Sequence, residues 1–184
     1  MSQPAASSTA IIKAMRRFRR NRHGSAAVEF ALVAPMFFAL VFAIIESSLF
    51  FYASQVLETG LQDTARLLYT HQADDNKMTK AQFDAQLCSR VSALFTCSGI
   101  YTDVKTYAPN ATIAISDPIV GGTLVKNFTY QTIPAGDPST VVVRAFYEWP
   151  LYVTKFGYDI ANLGRGSNNS KKLLAATAAF HVEP

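Results

Sequence analysis

The 184-residue chain is short of charge, cysteine and histidine. Charged side chains make up 16% of it, against about 25% in a typical soluble protein. With 49% hydrophobic residues, this composition excludes general intrinsic disorder. Two cysteines are too few for a disulfide scaffold, and they form no CxxC metal or redox pair. The three histidines, His23, His71 and His181, are far apart in sequence. None has a cysteine or acid partner at ligand spacing, so each reads as a surface or junction residue. Gly164-Arg165-Gly166-Ser167 lacks the Lys-Ser/Thr ending of a phosphate loop and follows no strand pattern. No nucleophile, base and acid stand out as a set. The expectation is a protein that is not an enzyme and needs no metal or cofactor.

Acidic residues are missing from residues 1–24, which hold Lys13, Arg16, Arg17, Arg19, Arg20 and Arg22. The formal net charge of +4 is therefore a strongly basic tail attached to a slightly acidic remainder. Nucleic-acid binding wants basic side chains spread over a folded face, and after residue 24 they are scattered singly apart from Lys171 and Lys172. Nucleic acid is excluded as a partner on that ground.

The tail leads into an uncharged apolar run from Phe30 to Ile45, bounded by Glu29 and by Glu46-Ser47-Ser48, with apolar residues resuming at Leu49 to Ala53. As a helix the central run alone spans about 24 Å, short of the roughly 30 Å hydrocarbon core. Including Ala26 to Val28 and Leu49 to Ala53, it is long enough to cross. The basic tail beside it predicts a cytoplasmic N-terminus and an exported C-terminal part. A cleavable signal peptide needs small residues at −3 and −1, and Phe51-Tyr52-Ala53 offers a bulky one. The sequence thus divides into a leader (1–24), a transmembrane helix (25–53) and a head domain (54–184). Glu29 is the odd residue, because a carboxylate inside a membrane-entering helix costs about 2.5–3.5 kcal/mol on insertion scales. A functional role is the default reading of such a group. Glu46 reads as an acid at the membrane edge.

Beyond the run, Ala53, Leu57, Leu61, Ala65 and Leu68 recur at helical spacing, which predicts an amphipathic continuation over 47–72. His71 to Lys77 is a polar break. Thr79-Lys80-Ala81-Gln82 has the form of a capping box opening a second helix, with Phe83, Leu87, Val91, Leu94 and Phe95 on its apolar face. In one unbroken helix Cys88 and Cys97 would stand about 13.5 Å apart, and a disulfide needs Cα atoms within about 7 Å. Either the helix ends near Phe95 and Thr96-Cys97-Ser98-Gly99 folds back, or the thiols are free; an oxidising compartment beyond the membrane favours the bridge. Strands are predicted at 103–107, 111–116, 124–132, 139–149 and 172–182, with a turn at Gly121-Gly122 and a loop over 163–172. In the last strand Leu173, Ala175, Thr177, Ala179 and His181 share one face. Leu151 to Asn162 reads as a short helix or an irregular segment. The fold class is α+β: a long N-terminal helix packed on a small antiparallel sheet, with a second helix.

Gly24-Ser25-Ala26-Ala27-Val28-Glu29-Phe30 resembles the cleavage site of type IV pilin-like precursors. The stretch from Arg20 to Pro35, closing on Ala34-Pro35, resembles the TadE-like pseudopilins of the tight-adherence (Flp pilus) machinery. Ile44-Ile45-Glu46, the cysteines at 88 and 97, and the closing strand ending on Glu183-Pro184 fit the same family, although this chain stops without the family's final Phe. The resemblance implies a pilin-like fold and cutting by a prepilin peptidase between Gly24 and Ser25. It implies that Glu29 neutralises the new α-amine of a neighbouring subunit and so fixes register. A bend at Pro35 is expected, as in pilin helices. The implied partners are the peptidase, other pilins and pseudopilins (TadF-like, Flp), an inner-membrane assembly platform and the lipid bilayer. The implied location is the bacterial inner membrane, with a periplasmic head. A signal-anchored periplasmic binding domain that never polymerises is the alternative.

Overall fold

The computed structural model describes residues 12, 13, 16, 24–69, 78–132, 139–152, 159–167 and 169–182. Most of the basic leader, His23, His71 with the polar break, and Glu183-Pro184 lie outside them. Helix α1 runs Ser25–Tyr69 with Pro35 inside it, and α2 covers Lys80–Val91. The strands are β1 (Ile100–Tyr107), β2 (Ile119–Val120), β3 (Thr123–Leu124), β4 (Ser139–Pro150) and β5 (Lys171–Val182). Strands β1, β4 and β5 form an antiparallel sheet with β4 central, while β2 and β3 form a hairpin. The fold is α+β. By packing, the chain divides into two units, Met1–Phe42 and Ala43–Pro184.

In the second unit the core is built on the stripe read from the sequence. Ala53, Leu57, Leu61, Ala65 and Leu68 are all buried, because residues three and four apart share one helix face. They pack with Phe83, Leu87 and Val91 of α2 and with Val104, Val141, Val143, Ala145, Leu174, Ala176 and Val182 of the sheet. The helices approach closely at Gly60, where an added Cβ would lie 2.5 Å from Val91 Cγ1. The capping box is formed: the Thr79 N–H donates to Gln82 Oε1 at 2.8 Å, and the Gln82 N–H donates to Thr79 Oγ1 at 3.4 Å. Each satisfies a backbone donor that the first turn leaves without an intrahelical partner.

Two strand expectations are corrected. Residues 111–116 alternate like a strand but join no ladder. Side chains hold them instead: the Tyr107 hydroxyl donates to Ala114 O, and Arg144 Nη1 donates to Ser116 O. Of 124–132, Leu124 pairs in the β2–β3 hairpin, the Val125 N–H donates to Pro118 O beside it, and a single parallel bridge joins Val104 and Tyr130. There the outer edge of β1 is met partly by side chains, with the Thr106 N–H donating to Gln131 Oε1. The turn at Gly121-Gly122 is present, both residues having positive φ as a tight hairpin requires. Strand β1 begins at Ile100, three residues earlier than expected. The shared face of Leu173 to His181 is turned from the main core. Of it only Leu173 is buried, in a second cluster with Phe146 and Leu163. Of the segment 151–162, residues 153–158 lie outside those described.

Candidate functional site

In the first unit, α1 begins at Ser25, with Gly24 in 3-10 conformation just ahead of it. Both residues are exposed, and a Cβ built on Gly24 would meet nothing within 4 Å among the described residues. Glu29 stands four residues after Ser25, so the two share a helix face. The Glu29 carboxylate is exposed and has no hydrogen bond or ion pair among the described residues. The helix beyond it is apolar all round. Phe30, Leu32, Val33, Met36, Phe37, Phe38 and Leu40 are exposed, Met36 to 80%. A helix hydrophobic on every side needs an apolar surround, either lipid or other helices. Among the described residues this is the one helix long and apolar enough to cross a membrane, and its most apolar stretch is nowhere buried. Pro35 lies inside that stretch, where it removes one backbone donor.

In the second unit, Glu46 is only 7% exposed. Its Oε1 accepts a hydrogen bond from the Tyr152 N–H, just past the end of β4. The sequence pattern places Glu46 at a membrane edge and gives no sign of this long-range partner. Cys88 and Cys97 are disulfide-bonded, with their Cα atoms 5.5 Å apart. Helix α2 stops at Val91, and the Leu94 and Phe95 N–H groups donate back to Val91 O, so the chain reverses before Cys97. That reversal is the first of the two alternatives the spacing leaves open.

Sequence reasoning misses a buried charge cluster. Asp103 and Arg144 are directly opposed on β1 and β4, and both are buried. Arg144 Nη2 donates to Asp103 Oδ2 at 2.6 Å and Nε to the same oxygen at 3.1 Å. The other oxygen, Oδ1, accepts from the Thr129 backbone N–H at 2.9 Å. Burial pushes the Asp103 carboxyl up. The Thr129 N–H and the Arg144 hydrogen bond and charge, with help from Lys105, outweigh it and hold the group below the usual carboxylate range. The cluster ties the sheet to residues 116 and 129. The available signal is a lone arginine inside the apolar run Val141 to Phe146, since a charge there must find a partner.

Among the described residues, no three His, Cys, Asp or Glu side chains gather as a metal site. His181 is exposed, with Nδ1 3.4 Å from Thr140 Oγ1. The first unit offers an exposed apolar helix carrying the Glu29 carboxylate four residues after an exposed Ser25. No curated protein and no solved structure matches the chain. The model of the TadE-like protein family matches residues 24–66, the span that contains Gly24, Ser25, Glu29, Pro35 and Glu46. That likeness points to the Tad pilus system, and the apolar helix fits membrane anchoring. Residues 24–66 are a TadE-like segment.

Proposed function

We propose that this chain is a minor pseudopilin that takes part in Tad (Flp) pilus assembly or secretion and has no catalysis of its own. The observation that carries the reading is the TadE-like match over residues 24–66, which begins at Gly24 and takes in the exposed apolar helix. The precursor sits in the inner membrane with its basic leader cytoplasmic and its head periplasmic. A prepilin peptidase cuts between Gly24 and Ser25. Glycine has no Cβ to keep a protease from the backbone, and among the described residues nothing stands within 4 Å of where a Gly24 Cβ would be.

Cleavage removes the basic leader and makes Ser25 the mature N-terminus, with a new α-amine. Glu29 then lies in the membrane-entering turns of α1. A buried carboxylate is tolerated when it is paired. An amine from a neighbouring subunit is a partner available only at one stagger of two helices, so the pair fixes register as a single polar residue does in a coiled-coil seam. The apolar faces of α1 supply lateral packing with other pilins and pseudopilins, including TadF-like and Flp subunits, at the inner-membrane assembly platform.

Intact mass and N-terminal sequencing, with the cognate prepilin peptidase present or absent, test this reading. The expected result is a peptidase-dependent start at Ser25. A leader retained in both cases overturns it and leaves a signal-anchored domain that does not polymerise. A start soon after Ala53 means an ordinary signal peptide.

A further inference from the structure

The stretch of α1 from Ala43 to Tyr52 belongs to the second packing unit, yet it is not a core helix. Ile44, Ile45, Leu49, Phe51 and Tyr52 are exposed. Its polar side chains before Tyr52 are Glu46, Ser47 and Ser48, and each is satisfied from within the protein. The Ser47 and Ser48 hydroxyls donate back to Ala43 O and Ile44 O, at 2.9 and 2.8 Å. Glu46 accepts from the Tyr152 N–H. Exposed apolar side chains combined with internally satisfied polar groups are what hydrocarbon demands and water does not.

The Glu46 contact also fixes a level. Glu46 precedes Tyr52 by six residues, about 9 Å along the helix axis. The end of β4 thus reaches alongside the apolar stretch rather than stopping where hydropathy ends. At that point Tyr152 is 75% exposed. An amphipathic ring exposed beside an apolar helix suits the headgroup boundary, where tyrosine is enriched.

We propose that the bilayer surface is the partner of this end of the head: Tyr152 lies in the headgroup region beside α1, and the Glu46–Tyr152 hydrogen bond holds it at that depth. The proposal rests on the membrane anchoring in the function proposed above. The carboxylate is a positioning group. A charged acceptor makes a stronger bond to a backbone N–H than a neutral one, and a carboxylate in that stretch without a donor would be costly. Lipid is favoured over a second copy of the chain because these exposed apolar residues follow directly, in the sequence of the same helix, on the apolar run that ends at Ile45.

The full-length protein, reconstituted in phosphatidylcholine vesicles, provides the test. Trp149 is the sole tryptophan, so Trp149→Phe is the silent background. Tyr152→Trp places a reporter at the proposed contact, and Phe37→Trp places one on the exposed face of α1 within the apolar run. Lipids brominated near the headgroup or near the chain end serve as quenchers. The position-152 reporter is expected to show blue-shifted emission and a greater loss of emission with shallow than with deep bromines. Adding Glu46→Ala is expected to abolish that quenching while the position-37 reporter stays quenched. Far-UV circular dichroism and the mass of the intact disulfide check that each variant folds. A water-like, unquenched reporter at 152 with a quenched reporter at 37 overturns this inference and leaves membrane anchoring standing. Two unquenched reporters overturn the anchoring as well. Burial of the 152 reporter that grows with protein-to-lipid ratio assigns the surface to a second copy and overturns the lipid contact. Quenching at 152 that survives Glu46→Ala overturns the role given to the hydrogen bond.

Discussion

Helix α1 carries two kinds of apolar sequence, and they meet different surroundings. Up to Phe42 it is apolar on nearly every side, and its large side chains are exposed. From Ala53 to Leu68 it is apolar along one stripe, with Gln55, Glu58, Gln62, Asp63 and Arg66 on other faces, and the stripe is buried. Hydrophobicity alone does not separate the two regions. The placing of the polar residues does, because a stripe can be covered by one neighbouring layer, whereas an all-round apolar surface needs lipid or several helices. Charge divides the same way. Glu29 is exposed and without a partner among the described residues, while Asp103 and Arg144 are buried and fully engaged.

Charge removal should sharpen that contrast most. Asp103→Asn leaves the Arg144 guanidinium buried without its counter-ion, at an expected loss of about 3–5 kcal/mol from the head's unfolding free energy. Glu29→Gln should leave that free energy unchanged, since the side chain is exposed and has no hydrogen bond or ion pair among the described residues. Denaturant unfolding of the full chain in detergent, followed by near-UV circular dichroism, reads both. The pair has a pH signature as well. The folded Asp103 carboxyl lies below its unfolded value, so its stabilising contribution is complete above the ordinary carboxylate pKa of about 4. It is lost as pH falls from there through the lower folded value. Acid unfolding of the parent should therefore steepen below about pH 4, and Asp103→Asn should remove that part of the profile. An unchanged acid profile would show that the cluster does not set acid stability.

The next contrast lies within α1 and is somewhat smaller. Leu57 is fully buried and Leu40 is 60% exposed. Leu57→Ala should destabilise the head by about 2–5 kcal/mol through lost transfer energy and the cavity left behind. Leu40→Ala should stay within about 0.5 kcal/mol in the same assay. Equal losses would mean that the apolar half contributes to the head's folded core, and the distinction between the two halves would fail.

The range of each interaction decides how much of the molecule is legible in its sequence. The buried stripe of α1, the capping box at Thr79 and Gln82, and the turn at Gly121-Gly122 are legible because each depends on residues within a few positions of one another. Strands β4 and β5 are legible from their apolar, β-branched composition. The TadE-like segment is legible because its glycine, just ahead of α1, and its glutamate and proline, inside α1, stand at fixed short offsets. Asp103–Arg144 is not, since a cross-strand pair 41 residues apart depends on sheet register, which one sequence does not display. Residues 111–116 mislead for the reverse reason. Their alternation is local, but a strand also needs a partner edge, and here the Tyr107 and Arg144 side chains take the available carbonyls. The Glu46–Tyr152 contact, 106 residues apart, is out of reach in the same way, although Glu46 itself stands out as an acid beside an apolar run.

The smallest effect should come from the one covalent cross-link in the described head. Cys88 and Cys97 close a loop with a sequence separation of nine. In the chain-entropy account so short a loop gives about 2–3 kcal/mol, because the denatured chain has little freedom there to lose. Cys88→Ser with Cys97→Ser should therefore lower the head's unfolding free energy by that amount and leave the helix signal of the apolar half in detergent unchanged. A second device holds the same turn. Phe95 is buried inside the loop, edge-to-face with Tyr147 at 4.9 Å between centroids and with Trp149 at 5.9 Å. Such aromatic pairs contribute roughly 0.5–1.5 kcal/mol each beyond their buried area. If the double serine variant loses less than about 1 kcal/mol, against the 2–3 expected from loop entropy, packing of Phe95 rather than the cross-link keeps Cys97 beside α2. Phe95→Ala in the disulfide-free background should then unfold the turn. If the loss matches the entropic value, the head depends on an oxidising compartment for part of its stability. The apolar half of α1, with no cross-link, then depends only on what surrounds it.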